Sequence, residues 1–384
     1  MKWLSKFNTV LASVLFCGIF SFAQVKYSNE FLSIGVGARA LGMSNSNIAS
    51  VNDATSGYWN PAGLSGIKTN LEIAGMHSEY FAGIAKYEYF GAATRIDSSS
   101  VMGASFIRFG VDNIPNTTEL IDAQGNVDYD RITTFSAADY AFLFSYARTF
   151  PKGDKPRLDS IGKSTGSSVA AVDKLDGLSI GANAKIIRRK VGNFGGAWGF
   201  GIDAAIQYKY KGWMLGAMVR DITTTFNAWS YTLSDEIKNV FVLTGNEIPS
   251  NSIEITLPKL IVGGARKMEF MQSKFSLLAE MNFDMSFDGK RNVLIKSNLV
   301  SIDPHMGIEA GYKGLIFLRT GIGNIQKSTD VVGKKITTFQ PNIGLGIKIK
   351  AITLDYALTD IGDKSVALYS NVFSLKLAIN KTLK

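Results

Sequence analysis

The sequence predicts an all-β protein: a transmembrane barrel of about fourteen antiparallel strands with a small N-terminal plug segment. Three observations carry this. After Asn70 the chain alternates apolar and polar residues with period 2, in segments of about 9–12 residues, the length that crosses a bilayer at a tilt. The first 23 residues have the form of an export signal. No later stretch holds 18 or more consecutive apolar residues, and mean hydropathy is only +0.09, as expected when two opposed faces are averaged together.

Composition excludes several classes. With 46% hydrophobic and 19% charged residues in 384, the chain has ample apolar material and is not a disordered tail. With 1 Cys it is not a disulfide scaffold. In the signal, Lys2 and Lys6 form the basic region, Val10 to Phe20 the apolar stretch, and Ser21-Phe22-Ala23 the cleavage site, so residues 1–23 are expected to be removed. A lipoprotein reading through Cys17 meets bulky Phe16 where a small residue belongs. Cleavage discards the only Cys and two lysines, and the formal charge of +9 falls by two to +7. That excess is scattered, with no basic cluster longer than Arg188-Arg189-Lys190, so no nucleic-acid partner is expected.

Residues 71–384 are read as the barrel. In 342–350, Ile343, Leu345, Ile347 and Ile349 take one face while Gly344, Gly346, Lys348 and Lys350 take the other. The segments lie near 71–77, 84–96, 100–111, 134–150, 178–191, 199–210, 213–222, 258–268, 274–285, 305–313, 315–323, 341–350, 352–361 and 366–379. A soluble sandwich would also alternate, but its strands average only ~5–6 residues. If the first strand runs outward, short turns at 97–99, 211–212, 269–273, Gly314 and Ala351 fall in the periplasm. The connections 112–133, 223–257, 286–304 and 324–340 then become surface loops. Residues 151–177 form a long polar connection where this register expects a short turn.

Residues 24–70 lack the alternation and are dense in small residues, which suits a compact plug inside or under the barrel. Gly35-Val36-Gly37-Ala38-Arg39-Ala40 mimics a dinucleotide fingerprint, but without the strand, long helix and parallel sheet such a site needs. Gly37-Ala38-Arg39-Ala40-Leu41-Gly42-Met43, Asn52-Asp53-Ala54 and Tyr58-Trp59-Asn60-Pro61-Ala62-Gly63-Leu64 together resemble the N-terminal signature of FadL-like outer-membrane barrels. Ser28-Asn29-Glu30-Phe31-Leu32 leading into Ile34-Gly35-Val36-Gly37 resembles, more narrowly, the PorV/PorQ branch of the Bacteroidetes, and the length points to its PorV side. The motif residues are Gly35, Gly37, Arg39, Leu41, Gly42, Asp53, Trp59, Asn60, Pro61 and Gly63.

The resemblance implies a fourteen-stranded outer-membrane barrel with an N-terminal plug and a part in type IX protein secretion. Its implied partners are a giant translocon barrel and secreted cargo proteins carrying C-terminal signal domains. A gliding-related complex is a variant of the same role. The alternative is a FadL-like carrier of hydrophobic small molecules, with the plug gating the route. A carrier should show a continuous apolar pocket from mouth to plug, and a cargo shuttle a closed lumen with an exposed partner surface.

No enzyme chemistry is legible. His77 and His305 lack neighbours at metal-ligand spacing, and no nucleophile elbow or reactive cysteine is present, so no catalytic, metal or cofactor site is expected. Each histidine reads as an interfacial or lumenal polar residue. The charges Lys86, Glu88, Lys185, Asp203, Lys209, Glu309, Arg319, Lys348, Asp355 and Lys376 are expected in the lumen, where their mixed signs suit a self-compensating network. Loop 223–257 carries Phe226, Trp229 and Tyr231 and a short helix from Ser234 to Leu243, with Ile237, Val240 and Phe241 at helical spacing. Phe226, Trp229, Tyr231 and Phe241 are therefore candidate partner anchors, or else fold over their own barrel mouth.

Overall fold

The computed structural model describes residues 28–121, 125–151, 176–329, 335–359 and 369–380; the expected signal peptide and most of the 151–177 connection lie outside them. Among the described residues the strands run β1 (Leu71–Tyr80), β2 (Ala85–Arg95), β3 (Ser100–Asn116), β4 (Thr133–Pro151), β5 (Gly177–Val191) and β6 (Gly195–Tyr210). There follow β7 (Trp213–Arg220), β8 (Thr225–Tyr231), β9 (Ser252–Thr256), β10 (Lys259–Phe270), β11 (Phe275–Ser286) and β12 (Ile295–Lys296). The last are β13 (Ser301–Tyr312), β14 (Ile316–Thr329), β15 (Lys335–Ile349), β16 (Ile352–Thr359) and β17 (Ser370–Ile379). Each pairs antiparallel with its neighbours, and β1 pairs with β17 from Leu71↔Ile379 to Glu79↔Asn371, which closes the sheet.

β7 and β8 both pair with β6 and form one stave interrupted at 221–224; β9 and β10 form the next. With the two-residue β12 set aside, the wall is a closed barrel of fourteen staves. Closure is what the membrane requires, because no backbone donor or acceptor is left at a sheet edge facing lipid.

The alternation read in the sequence becomes the two faces of this wall. On β15, Ile343, Leu345, Ile347 and Ile349 are exposed while Gly344 and Gly346 are buried. On β6, Phe200, Ile206 and Tyr208 face out and Asp203, Ala205 and Gln207 face in. Outward aromatics form paired contacts near one end, Phe275 with Tyr312 at 5.0 Å, while Trp213 lies under Arg266 at 4.8 Å. Such girdles mark a membrane–water boundary. The turns at this end are tight: Lys211-Gly212 and Lys313-Gly314 take positive φ at both central residues, the conformation that matches strand twist in a two-residue hairpin.

Four sequence expectations change. The surface loop expected at 223–257 is wall at both its ends: β8 and β9 pair with each other and extend the barrel, which leaves 232–251 as the connection. Strands β3 and β4 likewise extend into the expected loop 112–133, through a register shift between Val111 and Ile114, and β14 and β15 extend into 324–340. In each case polar or turn-forming residues in the strand masked its continuation.

The fourth change is that Lys86 and Glu88 face outward rather than into the lumen. Their parity is set by Tyr87 and Tyr89, whose hydroxyls reach inward to the Phe31 and Ala54 carbonyls at 3.0 and 2.9 Å. Outside, Glu88 meets Arg108 at 3.5 Å, and Arg108 meets Asp112 at 3.0 Å.

Candidate functional site: a plugged lumen and the cavity above it

Residues 28–70 sit inside the barrel as a plug of short pieces: a 3-10 turn at Glu30–Ser33, α1 (Ala38–Gly42), α2 (Ser56–Trp59) and a 3-10 turn at Pro61–Gly66. The last begins in a standard way, with Asn60 Oδ1 accepting from the Ala62 amide at 3.1 Å and Pro61 in the first turn. Helices this short do not hold themselves. They are held by side chains of the wall.

Two ion-paired groups fasten the plug. From α1, Arg39 reaches Glu309 of β13 at 2.9 Å and Asn47 at 2.6 Å. Glu309 also accepts from Arg319 at 2.7 Å, and Arg319 donates to Asp355 at 2.7 Å, so the chain of alternating charge runs from plug to β16. On the second side Asp53 meets Lys376 of β17 at 2.6 Å, while its other oxygen accepts from the Thr55 amide and hydroxyl. Burial alone would raise the Asp53 carboxyl; Lys376, together with the Thr55 bond, holds it well below the usual carboxylate range. Burial opposes charge on Arg39 too, but Glu309 outweighs it and the guanidinium is held still more firmly protonated.

Bonds from wall side chains to the plug backbone complete the fastening. Glu72 accepts from the Ala54 amide at 2.8 Å, and Glu280 from the Ala49 amide at 2.7 Å. Gln207 donates to the Ala49 and Val51 carbonyls, Arg220 to Leu32, and Asn183 to Gly57. Each bonds a plug backbone carbonyl or amide, most of them in the turns between its short helices. The plug also presses directly on the wall. A Cβ on Gly42 would stand 2.9 Å from the Cα of Gly344, so α1 lies backbone to backbone on β15.

The motif residues thus lie together in the plug, in two jobs. Arg39, Asp53 and Asn60 bond to the wall, Asn60 through the Ile206 carbonyl at 3.0 Å. Leu41 and Trp59 pack in the plug's apolar core, Trp59 donating to the Val36 carbonyl at 2.8 Å. Gly35 and Gly37 flank the entry to α1, and Pro61 and Gly63 shape the last turn. The wall partners Arg220, Gln207, Glu280 and Glu72 escaped the sequence reading. Their signal was a polar residue on the small face of an alternating strand, which does not distinguish a plug ligand from a hydrated lumen.

Of the remaining lumenal charges, Lys185 is 1% exposed and bridges Asp203 at 2.7 Å and Asp221 at 2.5 Å. His77 lies on the outer face, 3.7 Å from Glu79 and 3.9 Å from Glu88. His305 faces the lumen, 3.8 Å from Asp284 and 3.9 Å from Asp303.

The candidate anchors of the 223–257 stretch do not form one exposed patch. Trp229 and Tyr231 lie on the inward face of β8, stacked at 5.7 Å; Trp229 donates to Glu254 at 3.2 Å and lies under Arg189 at 5.0 Å. Phe226 faces out in register with Phe200 and Ile255, as part of the apolar wall. Phe241 is half-buried on α3 (Asp235–Leu243), which Ser234 caps at 3.3 Å; the large apolar residues exposed there are Val242 and Leu243, at 64% and 85%.

Between plug and mouth lies a cavity of 410 Å³. Tyr80, Phe81 and Phe109 line it from β1, the following turn and β3, with Ile34 and Leu41 of the plug. Asp303, His305, Asn324, Gln340 and Asn342 line it from β13, β14 and β15, with Ser44 and Asn45 of the plug. It ends on the plug at Ile34 and Leu41.

No family model matches the chain, and no curated protein does. Among solved structures it is similar to the CymD monoaromatic hydrocarbon channel, at 10% identity over 93% of this chain and 100% of that one, TM-score 0.51. It also aligns with a Pseudomonas aeruginosa FadL homologue (11% identity, 89% of this chain, 97% of that one, TM-score 0.48). The Pseudomonas putida toluene transporter TodX gives 12% identity, 89% and 96% coverage and a TM-score of 0.47. At these identities the likeness speaks for fold alone, and it is the CymD match that carries it. These neighbours are channels rather than enzymes. The fold that it shares with CymD is a closed, fourteen-stranded antiparallel β-barrel.

Proposed function

We propose that the chain is an outer-membrane carrier of small hydrophobic or amphipathic molecules, which enter at the cavity above the plug. The observation that carries this is the cavity itself: 410 Å³, within the usual ~300–1,000 Å³ of small-molecule sites, with an aromatic arc facing the mouth side of a plug. The shared fold of CymD, described as a hydrocarbon channel, supports the same reading. Passage then requires the plug's polar fastenings to open, since the cavity stops on it.

A second reading, a part in type IX secretion beside a giant translocon barrel and its cargo, is favoured by the N-terminal motifs and by exposed Val242 and Leu243 on α3. The fold likeness favours the first. Deletion of the gene, with uptake assays and a surface and supernatant proteome, separates them. Impaired uptake with normal secretion supports the carrier; lost surface cargo with normal uptake puts the second reading in its place.

A further inference from the structure

We infer that the periplasmic rim of the barrel is a collar for anionic phospholipid headgroups, whose phosphates meet lysines set just beyond the outward aromatic belt. This goes beyond the carrier reading and does not depend on what the barrel transports. Outer-membrane barrels turn their short connections to the periplasm. Four of the tight turns at that end, β6–β7, β10–β11, β13–β14 and β15–β16, each hold an exposed lysine: Lys211, Lys274, Lys313 and Lys350. The order of the staves makes these turns successive, so the four lysines occupy one continuous arc of the rim from β6 to β16.

Two features tie this arc to a lipid surface. The first is its level on the wall. Lys211 Nζ stands 5.2 Å from the Tyr210 ring and Lys313 Nζ 5.2 Å from the Tyr312 ring, and Arg266 lies over Trp213 at 4.8 Å. Tyr210 and Trp213 face each other across β6 and β7 on the outer side, and Tyr312 also points outward. Such rings sit at the headgroup level of a bilayer, which places the neighbouring ammonium groups among the phosphates, with their stems along the apolar wall. The second feature is uncompensated charge. None of the four lysines has an ion-pair partner among the described residues. The carboxylates nearby are engaged elsewhere: Glu269 with Lys267 and Ser273, both at 2.8 Å, and Asp176 with the backbone amide of Lys211 at 3.2 Å. The mouth end contrasts with this, since Arg108, Arg189 and Arg291 there each meet two carboxylates. Lysines that follow the aromatic belt from turn to turn, rather than gathering in one patch, match a lipid annulus better than a single acidic protein.

Quenching of Trp213 fluorescence by brominated lipid tests this in vesicles of mixed phosphatidylcholine and phosphatidylglycerol. The full chain is reconstituted as Trp198→Phe, and the share of Trp213 is the signal lost in Trp198→Phe/Trp213→Phe. At low salt, brominated phosphatidylglycerol should quench as though enriched about fivefold over brominated phosphatidylcholine, the factor that one basic residue contributes at an anionic surface. In about 0.5 M sodium chloride the enrichment should fall below about twofold, because screening then acts within roughly 4 Å. The variant Lys211→Asn/Lys274→Asn/Lys313→Asn/Lys350→Asn should also bring it below about twofold. Asparagine suits the left-handed backbone at positions 211, 313 and 350, where φ is 47°, 51° and 52°. Enrichment below about twofold at low salt overturns the inference, as does enrichment that stays at or above that level in high salt or in the quadruple variant. The two salt measurements decide the matter whether or not that variant folds. Co-sedimentation with isolated peptidoglycan that needs the four lysines, without enrichment of phosphatidylglycerol, overturns the inference in favour of a cell-wall contact.

Discussion

Replacing Asp53 by Asn removes one charge from the plug–wall contact with Lys376 and leaves the lysine behind. The pair sits 2.6 Å apart, with the carboxylate 11% and the lysine 22% exposed. Breaking a buried pair by deleting one partner costs about 3–5 kcal/mol, because the surviving charge stays desolvated. Lys376 keeps some solvent and the neighbouring Glu72 carboxylate, which brings the expected loss down to or below the lower limit of that range, about 2–3 kcal/mol. The quantity weakened is the docking of the plug, not closure of the wall, since Asp53 lies in the plug and its bond to Lys376 is no part of the strand pairing. Hydrogen exchange reads it at the Trp59, Asn60 and Gly63 amides, bonded within the plug at 3.2, 2.9 and 2.8 Å. Their exchange should quicken by roughly 30- to 150-fold, while β4 and β5 amides hold their rates. The double variant Asp53→Asn/Lys376→Met, which removes both charges, should recover most of the protection. Exchange in the single variant within threefold of wild type would refute the view that this pair fastens the plug.

Acid should have the same effect by another route. Because the folded Asp53 carboxyl lies below its unfolded value of about 4, its contribution is complete above that pH and declines as pH falls below it. Plug exchange in wild type should therefore accelerate between pH 4 and 3 by more than in Asp53→Asn, measured after correction for intrinsic rates. Gly321→Val puts a Cβ 2.6 Å from the Met43 carbonyl oxygen and the Ser44 amide, so the barrel should form with its plug displaced, seen as raised single-channel conductance in planar bilayers. Trp229→Ala/Tyr231→Ala should leave any protein partner's co-purification unchanged, because both rings face inward; Val242→Asp/Leu243→Asp should diminish it if α3 is a docking helix.

Much of the wall was legible because lipid imposes a simple rule. A strand whose outward residues are Ile343, Leu345, Ile347 and Ile349 needs no tertiary information to be recognised. The rule fails where lipid ends. Toward the mouth β8 turns Trp229 and Tyr231 inward and Ser230 outward, the reverse of the apolar-out order, so the alternation is lost there and the stretch reads as loop. It fails also for parity when both faces are mixed: Lys86 and Glu88 alternate with Tyr87 and Tyr89, and only the plug's Phe31 and Ala54 carbonyls decide which pair turns inward. The plug motifs were recognisable as a group, but their partners were not. Glu309 and Lys376 lie 270 and 323 positions from Arg39 and Asp53, and no local pattern relates them.

The staves are of unequal length, and this shapes the mouth. β4 has 19 residues and β1 has 10; at ~3.3 Å per residue and a ~40° tilt they rise roughly 48 and 25 Å, against an apolar belt of about 25 Å. The β1–β2 hairpin therefore ends level with the lipid headgroups, while the wall from β3 to β6 stands clear of them. The rim is a parapet with one low sill, and on that sill Phe81 and Ile84 are 57% and 64% exposed. On the carrier reading proposed above, a molecule dissolved in the outer leaflet would reach the aromatic side of the cavity over that sill, without first crossing the water above the mouth.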